Sequence, residues 1–179
     1  MLGASLTSRV AARYIEGQVV LEGVLSLLGP SLDAVQREGE RHLTDLLGPV
    51  EADRYIGYRK ARDRDHAHMT ILSPPETKQV LERLTDEERV KDPSLSRGKA
   101  REKAKDVLLT ETRKVNLSGW HARGLGRAEA GSDITYFIVV DWPDGQKLRK
   151  SMGFEPKDFH ITVGFDSRDV HGVAKNKVL

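Results

Sequence analysis

Phe159-His160-Ile161-Thr162-Val163-Gly164-Phe165 is a short apolar run that carries one histidine and one threonine two positions apart. The same form occurs near the middle of the chain, in Asp65-His66-Ala67-His68-Met69-Thr70-Ile71-Leu72. Both runs contain the β-branched residues that favour β-strands. Alternate side chains of a strand point to the same face, so each run is predicted to present an imidazole and a hydroxyl side by side.

The two pairs, His68 with Thr70 and His160 with Thr162, predict one site built from two strands. Hydrolysis of a phosphodiester needs a base that activates the nucleophile and an acid that protonates the leaving oxygen. The ordinary pKa of histidine, about 6.5, lets one copy serve as base and another as acid near neutral pH. A threonine hydroxyl can donate a hydrogen bond to a non-bridging phosphate oxygen. This chemistry requires no metal and no other cofactor.

The paired His-x-Thr strands resemble the 2H phosphoesterase superfamily, which is named for two such motifs and includes the RNA 2′,3′-cyclic phosphodiesterases. The resemblance rests on His68-Met69-Thr70 and His160-Ile161-Thr162. It implies an α+β fold with two lobes, each a small antiparallel sheet with outer helices, that enclose a central cleft. It further implies that residues 1–179 form a single domain to which each lobe contributes one His-x-Thr strand, and that these histidines and threonines are catalytic.

A third match, His42-Leu43-Thr44, shows that the three-letter pattern is insufficient by itself. It lies in a segment whose apolar residues recur at helical spacing, and Gly48-Pro49 is a helix stop signal. Residues two apart on a helix do not face each other, so we predict that His42 and Thr44 do not cooperate.

The composition predicts one globular domain: 38% of the 179 residues are hydrophobic and 31% are charged. The chain contains no cysteine, which excludes disulfides, thiolate zinc sites and cysteine nucleophiles. A formal net charge of +2 argues against a broad surface that coats nucleic acid. Because we find neither a signal-peptide pattern nor an apolar run long enough to cross a bilayer, we expect a cytoplasmic monomer without membrane contact.

The remaining patterns predict mixed helices and antiparallel strands without regular βαβ alternation, which is typical of α+β proteins. We predict helices over 31–47, 76–84 and 146–152, and strands over 9–15, 115–125, 133–142 and 159–165. The segment 55–60 is interpreted as a short strand or loop, 85–106 as a solvated helix and loop, and Pro143-Asp144-Gly145 as a turn. The strand 133–142, which consists mostly of β-forming residues, is predicted to be central in its sheet.

Five further residues are candidates for substrate binding. His66 is expected at the rim of the site, Arg123 and Lys157 near phosphate, and Trp120 and Tyr136 in stacking on a base. Tyr136 and Phe137 face opposite sides of their strand, so one of them is expected in the core. A rival interpretation treats His66 and His68 as a metal-binding His-x-His pair.

The main hypothesis is a metal-independent phosphodiesterase that hydrolyses a 2′,3′-cyclic phosphate on an RNA 3′ end or a small nucleotide. Members of the same superfamily also suggest 2′-5′ oligoadenylates or cyclic oligonucleotide signals as substrates. A non-catalytic nucleotide-binding module and a protein-interaction domain with incidental motifs are the alternatives from other classes. The sequence leaves open which histidine is the base.

Overall fold

The computed structural model describes residues 14–64 and 66–179, in which two three-stranded antiparallel sheets are combined with five helices. The elements in chain order are β1 (Gln18–Leu21), β2 (Leu25–Leu28), α1 (Pro30–Leu47), α2 (Pro49–Asp63), β3 (Met69–Leu72), α3 (Pro74–Lys91), α4 (Arg97–Arg113), β4 (His121–Ala130), β5 (Asp133–Asp141), α5 (Pro143–Ser151) and β6 (His160–Phe165). The strand orders are β1-β2-β3 and β4-β5-β6, so each motif strand is an edge strand. The predicted α+β class with two small sheets and outer helices is confirmed.

Helices cover both sheets, and one apolar core continues from one sheet to the other. The helices α1 and α2 pack against the sheet that contains β6, whereas α3, α4 and α5 lie against the sheet that contains β3. The shared core includes Leu27 and Met69 from the first sheet and Ile138 and Ile161 from the second, all at most 4% exposed. The strands β3 and β6 contact each other, which brings the two motifs to the junction of the sheets. The assignment of residues 1–179 to a single domain stays a prediction.

Each motif strand contains a β-bulge at the residue that follows its threonine. In β3, Thr70 pairs with Ser26 and Leu72 pairs with Leu25, which leaves Ile71 as the extra residue. A bulge adds one residue to its strand, so the alternation of side chains between the two faces is shifted by one position after the bulge. The apolar residue after each bulge can therefore face the core without moving the motif side chains.

The bulge in β6 falls at Val163, because Thr162 pairs with Phe137 and Gly164 with Tyr136. Gly164 consequently faces α2, where a Cβ atom would lie 2.9 Å from the backbone carbon of Tyr55. This approach leaves no space for a side chain and explains the glycine at that position.

A buried arginine binds the backbone carbonyl of each bulge residue. Arg59 Nε on α2 donates to Val163 O at 3.0 Å, and Arg149 Nη1 on α5 donates to Ile71 O at 2.8 Å. Each guanidinium also pairs with a glutamate: Arg59 with Glu40, and Arg149 with Glu76 at 2.8 Å. A bulge leaves a backbone group without its ladder partner, and an unpaired buried carbonyl is costly. An arginine that binds both a bulge carbonyl and a glutamate therefore occurs once in each half of the molecule.

Proline residues explain two differences from the sequence predictions. Among the helices of the described residues, α1, α2, α3 and α5 begin with proline at the first position, where its missing N–H costs nothing. Pro49 therefore starts α2, and the interpretation of residues 55–60 as a strand or loop is wrong. Pro143-Asp144-Gly145 is the first turn of α5 rather than a separate turn.

The other element predictions are largely confirmed. The helix over 31–47 and the strand over 159–165 agree with the structure to within one residue at each end, and β5 is central in its sheet as predicted. The helix predicted over 76–84 exists but is longer, since α3 extends from Pro74 to Lys91. The strand predicted over 115–125 begins only at His121, because residues 115–120 form the turns that follow α4. Most of the strand predicted over 9–15 lies outside the described residues. None of the described helices has both the length and the apolar character needed to span a membrane.

Arg149→Met should lower the free energy of unfolding by about 3 kcal/mol, because it leaves Ile71 O and the Glu76 carboxylate without their buried partner. Urea unfolding monitored by circular dichroism measures this change. Arg54→Met is the matched control, since Arg54 forms exposed ion pairs with Glu51 and Asp166 that should contribute little. Equal destabilisation by the two variants would contradict the role assigned to Arg149.

Candidate active site

The motif side chains lie on the faces of the two sheets that do not contribute to the shared core. His160 pairs with Val139 and Thr162 with Phe137, on the side of the sheet opposite Ile138 and Ile161. In the other sheet Thr70 pairs with Ser26, and His68 immediately precedes β3. Met69 and Ile71 are fully buried on the core side. The predicted geometry of each His-x-Thr pair is therefore present.

His160 is held in one orientation and largely screened from water. Its Nδ1–H donates to the backbone carbonyl of Asp158 at 2.8 Å, which leaves Nε2 as the acceptor in the neutral ring. Lys175 Nζ lies 3.4 Å from that Nε2, and the Phe137 ring packs edge-on against the imidazole at 5.8 Å. Burial, followed by the charge of Lys175, lowers the pKa of His160 to about 4. The ring is thus neutral at pH 7.

His68 lies in a different electrostatic environment. Its Nδ1 is 3.9 Å from the Asp63 carboxylate, and about one third of its side chain is exposed. Burial lowers the pKa of His68 below its ordinary value, whereas the negative charge of Asp63 opposes this shift. A carboxylate beside one histidine and an ammonium beside the other favour opposite protonation states of the two rings.

A continuous series of charged side chains connects the two histidines. Asp63 accepts from Arg62, whose guanidinium also donates to Asp169. Asp169 in turn accepts from Lys175 Nζ at 3.3 Å and from Thr135 Oγ1 at 2.9 Å. Each end of this series lies beside a motif histidine: Asp63 is next to His68, and Lys175 is next to His160. We call Asp63, Arg62, Asp169 and Lys175 the charge bridge.

The charges of the bridge are mutually stabilised. Burial alone would raise the pKa of Asp169, but Lys175 and Arg62 lower that pKa below its ordinary value. Burial lowers the pKa of Lys175, and Asp169 opposes this shift. The Asp169 carboxylate also acts electrostatically on both His68 and His160. The two imidazoles therefore belong to one electrostatic unit.

Two pockets flank the charge bridge. The pocket on the His68 side has a volume of about 500 Å³ and is lined by apolar residues of the first sheet together with His66 and Arg64. The pocket on the His160 side has a volume of about 280 Å³ and is lined by apolar side chains and by the polar residues Arg123, Asp141, Gln146, Lys157, Asp158, Lys175 and Asn176. His68 lines the first pocket, and the second adjoins His160 through Phe159 and Lys175.

His66 and His68 engage different partners. His66 Nδ1 lies 3.4 Å from Asp33, and its ring stacks on Tyr14 with 4.0 Å between the centroids. The Asp33 carboxylate also accepts from the backbone of Ala67, so it fixes the approach to β3. Within residues 14–64 and 66–179, no group of three or more histidine, aspartate or glutamate side chains is arranged to hold a metal ion. His66 remains at the rim of the pocket next to His68, where the sequence predicted it.

The other predicted substrate contacts fall into two groups. Arg123 and Lys157 line the pocket beside His160. Trp120, in contrast, is half-buried against the main core. The assignment of Tyr136 to the substrate site is corrected, because its ring is only 5% exposed and packs edge-on against Tyr55 on the core side.

Sequence reasoning missed the residues of the charge bridge. Lys175 lies in a polar segment near the end of the sequence, yet it is only 4% exposed. Its position is fixed because its backbone N–H donates to Asp158 Oδ2 at 3.0 Å. Arg62 and Asp63 belong to the charged last turn of α2. No local pattern marks such residues, since their function depends on contacts between segments that are distant in sequence.

The third His-x-Thr match lies on α1, as predicted. His42 is more than half exposed and faces Glu38, whereas Thr44 Oγ1 donates to the carbonyl of Glu40 in the preceding turn. These two side chains do not form a joint site.

Comparison with known proteins gives one family match. A family model described as "Swiss Army Knife, 2H phosphoesterase domain" matches residues 24–171, which include both motif strands. No curated protein and no solved structure matches the chain.

Lys175→Met should raise the pKa of His160, because removal of the neighbouring positive charge favours the imidazolium form. In the unaltered protein, His160 should stay neutral with the proton on Nδ1 until the pH falls to about 4. A pH titration of the imidazole nitrogens by NMR measures both. Lys177→Met is the control, since Lys177 is an exposed residue of the same segment. A His160 pKa that does not change in Lys175→Met would contradict the described geometry.

Proposed function

The chain belongs to the 2H phosphoesterase superfamily, and we propose that it hydrolyses a 2′,3′-cyclic phosphate on an RNA 3′ end or a small nucleotide without a metal ion. The membership supports phosphoesterase activity. The finer proposal is supported mainly by the charge bridge, which joins His68 and His160 into one electrostatic unit between two pockets. We place the phosphate of the substrate beside this bridge, between the two imidazoles.

We assign the general base to His160. Its Nδ1 is occupied by the carbonyl of Asp158, so the free electron pair is on Nε2, and its low pKa keeps the ring neutral. Nε2 removes a proton from water, whose oxygen attacks the phosphorus atom. The negative charge of the bound phosphate raises the pKa of the ring toward neutrality, which strengthens it as a base at the moment of reaction.

His68 is then the general acid. Attack by water breaks the bond between the phosphorus and one ribose oxygen, and the leaving oxygen takes a proton from the His68 imidazolium. Burial lowers the pKa of His68 in the free protein, so its protonation depends on Asp63 at 3.9 Å and on the negative charge of the bound substrate, both of which favour the imidazolium form. The proton from water ends on His160 and the proton on the ribose hydroxyl comes from His68, so the reaction balances, and solvent exchange restores both rings.

Thr70 and Thr162 are suited to bind the non-bridging oxygens of the phosphate. Neither hydroxyl forms a hydrogen bond with another described residue, although Thr162 is only 6% exposed. Each can donate to an oxygen on which negative charge increases in the transition state. Lys175 Nζ, 3.4 Å from His160, adds a positive charge on the same side.

His68→Ala and His160→Ala should each reduce the rate of hydrolysis of adenosine 2′,3′-cyclic phosphate by about 10²–10⁴-fold, because each removes one proton-transfer group. Steady-state kinetics give this loss, and unfolding curves test whether the fold is retained. His42→Ala is the matched control: it removes the histidine of the third His-x-Thr sequence, which lies on an exposed helix face. Near-normal turnover by either motif variant would refute the assignment. Tight binding without turnover by the unaltered protein would instead favour a nucleotide-binding module.

EDTA should leave the rate of hydrolysis unchanged, since every proposed step uses imidazole, hydroxyl and ammonium groups of the protein. The assay compares protein dialysed against EDTA with untreated protein. Loss of activity that one divalent ion restores would contradict the proposal and support the rival metal site at His66 and His68.

A further inference from the structure

We propose that the pocket beside His160 binds a second phosphate group of the substrate, on the 5′ side of the nucleoside that carries the cyclic phosphate. The inference rests on the proposed function and narrows its substrate class to molecules with two neighbouring phosphates. We call the pocket the lysine pocket; it is lined by Arg123, Lys157 and Lys175, with Val139, Pro143 and Phe159 as apolar neighbours.

The lysine pocket opens directly beside the proposed base. Lys175 is shared by both, since its Nζ is 3.4 Å from His160 Nε2 and its side chain lines the pocket. Asp158 and Phe159, which also line the pocket, immediately precede His160. A substrate whose scissile phosphate contacts His160 therefore extends a neighbouring group into the lysine pocket without a change in the fold.

Lys157 is fixed in the pocket but has no carboxylate partner. Gln146 on α5 binds its backbone twice: Gln146 Nε2 donates to Lys157 O at 2.6 Å, and Lys157 N donates to Gln146 Oε1 at 3.0 Å. Its half-buried ammonium forms no ion pair or hydrogen bond with the described residues. A lysine that is held in place by its backbone and keeps its charge unpaired is suited to bind an anionic ligand.

The electrostatics around Lys157 favour an anion. Burial lowers the pKa of Lys157. The positive charges of Arg149 and Lys175 lower this pKa further, whereas the negative charges of Glu76 and Asp158 oppose the shift. A bound phosphate would offset the repulsion between Lys157 and Lys175. The N-terminus of α5, which begins at Pro143, also borders the pocket and adds partial positive charge.

The two carboxylates of the pocket are already hydrogen-bonded. Asp141 Oδ2 accepts from Arg123 at 2.6 Å, and Asp158 Oδ2 accepts from the backbone of Lys175 at 3.0 Å. Their negative charge is thus directed to groups that define the pocket wall. Arg123 is paired with Asp141 and Lys175 with Asp169, so among the residues that the structure describes Lys157 is the cation of the pocket that remains for a ligand.

The pocket on the His68 side has a different lining. Val20, Val24 and Leu28 form an apolar wall, and the polar and charged residues around this wall are Glu22, Ser26, Arg62, Asp63, Arg64, His66 and His68. Arg62 and Asp63 are bound to each other within the charge bridge, and an apolar wall with a ring at its edge suits a nucleobase. We therefore place the second phosphate in the lysine pocket and the base against the apolar wall.

The test compares adenosine 2′,3′-cyclic phosphate with the same molecule that carries an additional 5′-phosphate. Only the 5′-phosphate differs, so any preference reports the second subsite. We expect the 5′-phosphorylated substrate to have a kcat/KM higher by about tenfold or more, the effect of one charge-assisted hydrogen bond. Lys157→Gln should abolish this preference, measured as the ratio of the two kcat/KM values within the same variant, and Lys157→Arg should restore the preference.

Lys147→Gln is the matched control, because Lys147 lies on the exposed surface of α5 and pairs with Asp144. Dissociation constants of both compounds, measured by calorimetry, distinguish the second phosphate subsite from the proposed phosphodiesterase activity. Equal kcat/KM and equal affinity for the two compounds would overturn the second subsite but leave the phosphodiesterase proposal intact. Absence of turnover for both would overturn the phosphodiesterase proposal, while tighter, Lys157-dependent binding of the 5′-phosphorylated compound would still support the subsite.

Discussion

The bond from a buried arginine to a bulge carbonyl determines how this chain presents its motifs. In a regular strand every residue is opposite one residue of the neighbouring strand, and no extra residue follows the threonine. The bulges at Ile71 and Val163 each add such a residue, and its backbone carbonyl accepts a hydrogen bond from Arg149 or Arg59, respectively. Because both guanidinium groups are buried and paired with glutamate, the bulges are fixed rather than optional.

In the two halves of the molecule, the arginine that binds the bulge carbonyl comes from different helices. Arg59 comes from the helix that precedes β3 and acts on β6, whereas Arg149 comes from the helix that precedes β6 and acts on β3. Each half thus stabilises the motif strand of the other, which couples the two lobes at the position of the site. The halves have no readable sequence repeat beyond the motifs, but their motif strands are built in the same way.

Local sequence patterns predicted the motif strands, the helix that carries the third His-x-Thr match and the α+β class, because periodicity and β-branching act over a few residues. Two kinds of feature were not predictable in this way. Buried Arg59 gives α2 a polar appearance, which hid the helical spacing of Ala52, Tyr55 and Ile56. Lys175 and Asp169 gain their positions from long-range contacts, so their sequence context resembles an ordinary polar tail.

The segment after β6 also affects how relatives of this chain should be compared. The family match ends at residue 171, whereas Lys175, which contacts His160, lies beyond it. A comparison confined to the matched residues therefore leaves out the cation next to one of the two histidines. Because burial and the charge of Lys175 lower the pKa of His160, the acidity of this imidazole is determined in part by a segment outside the His-x-Thr motifs.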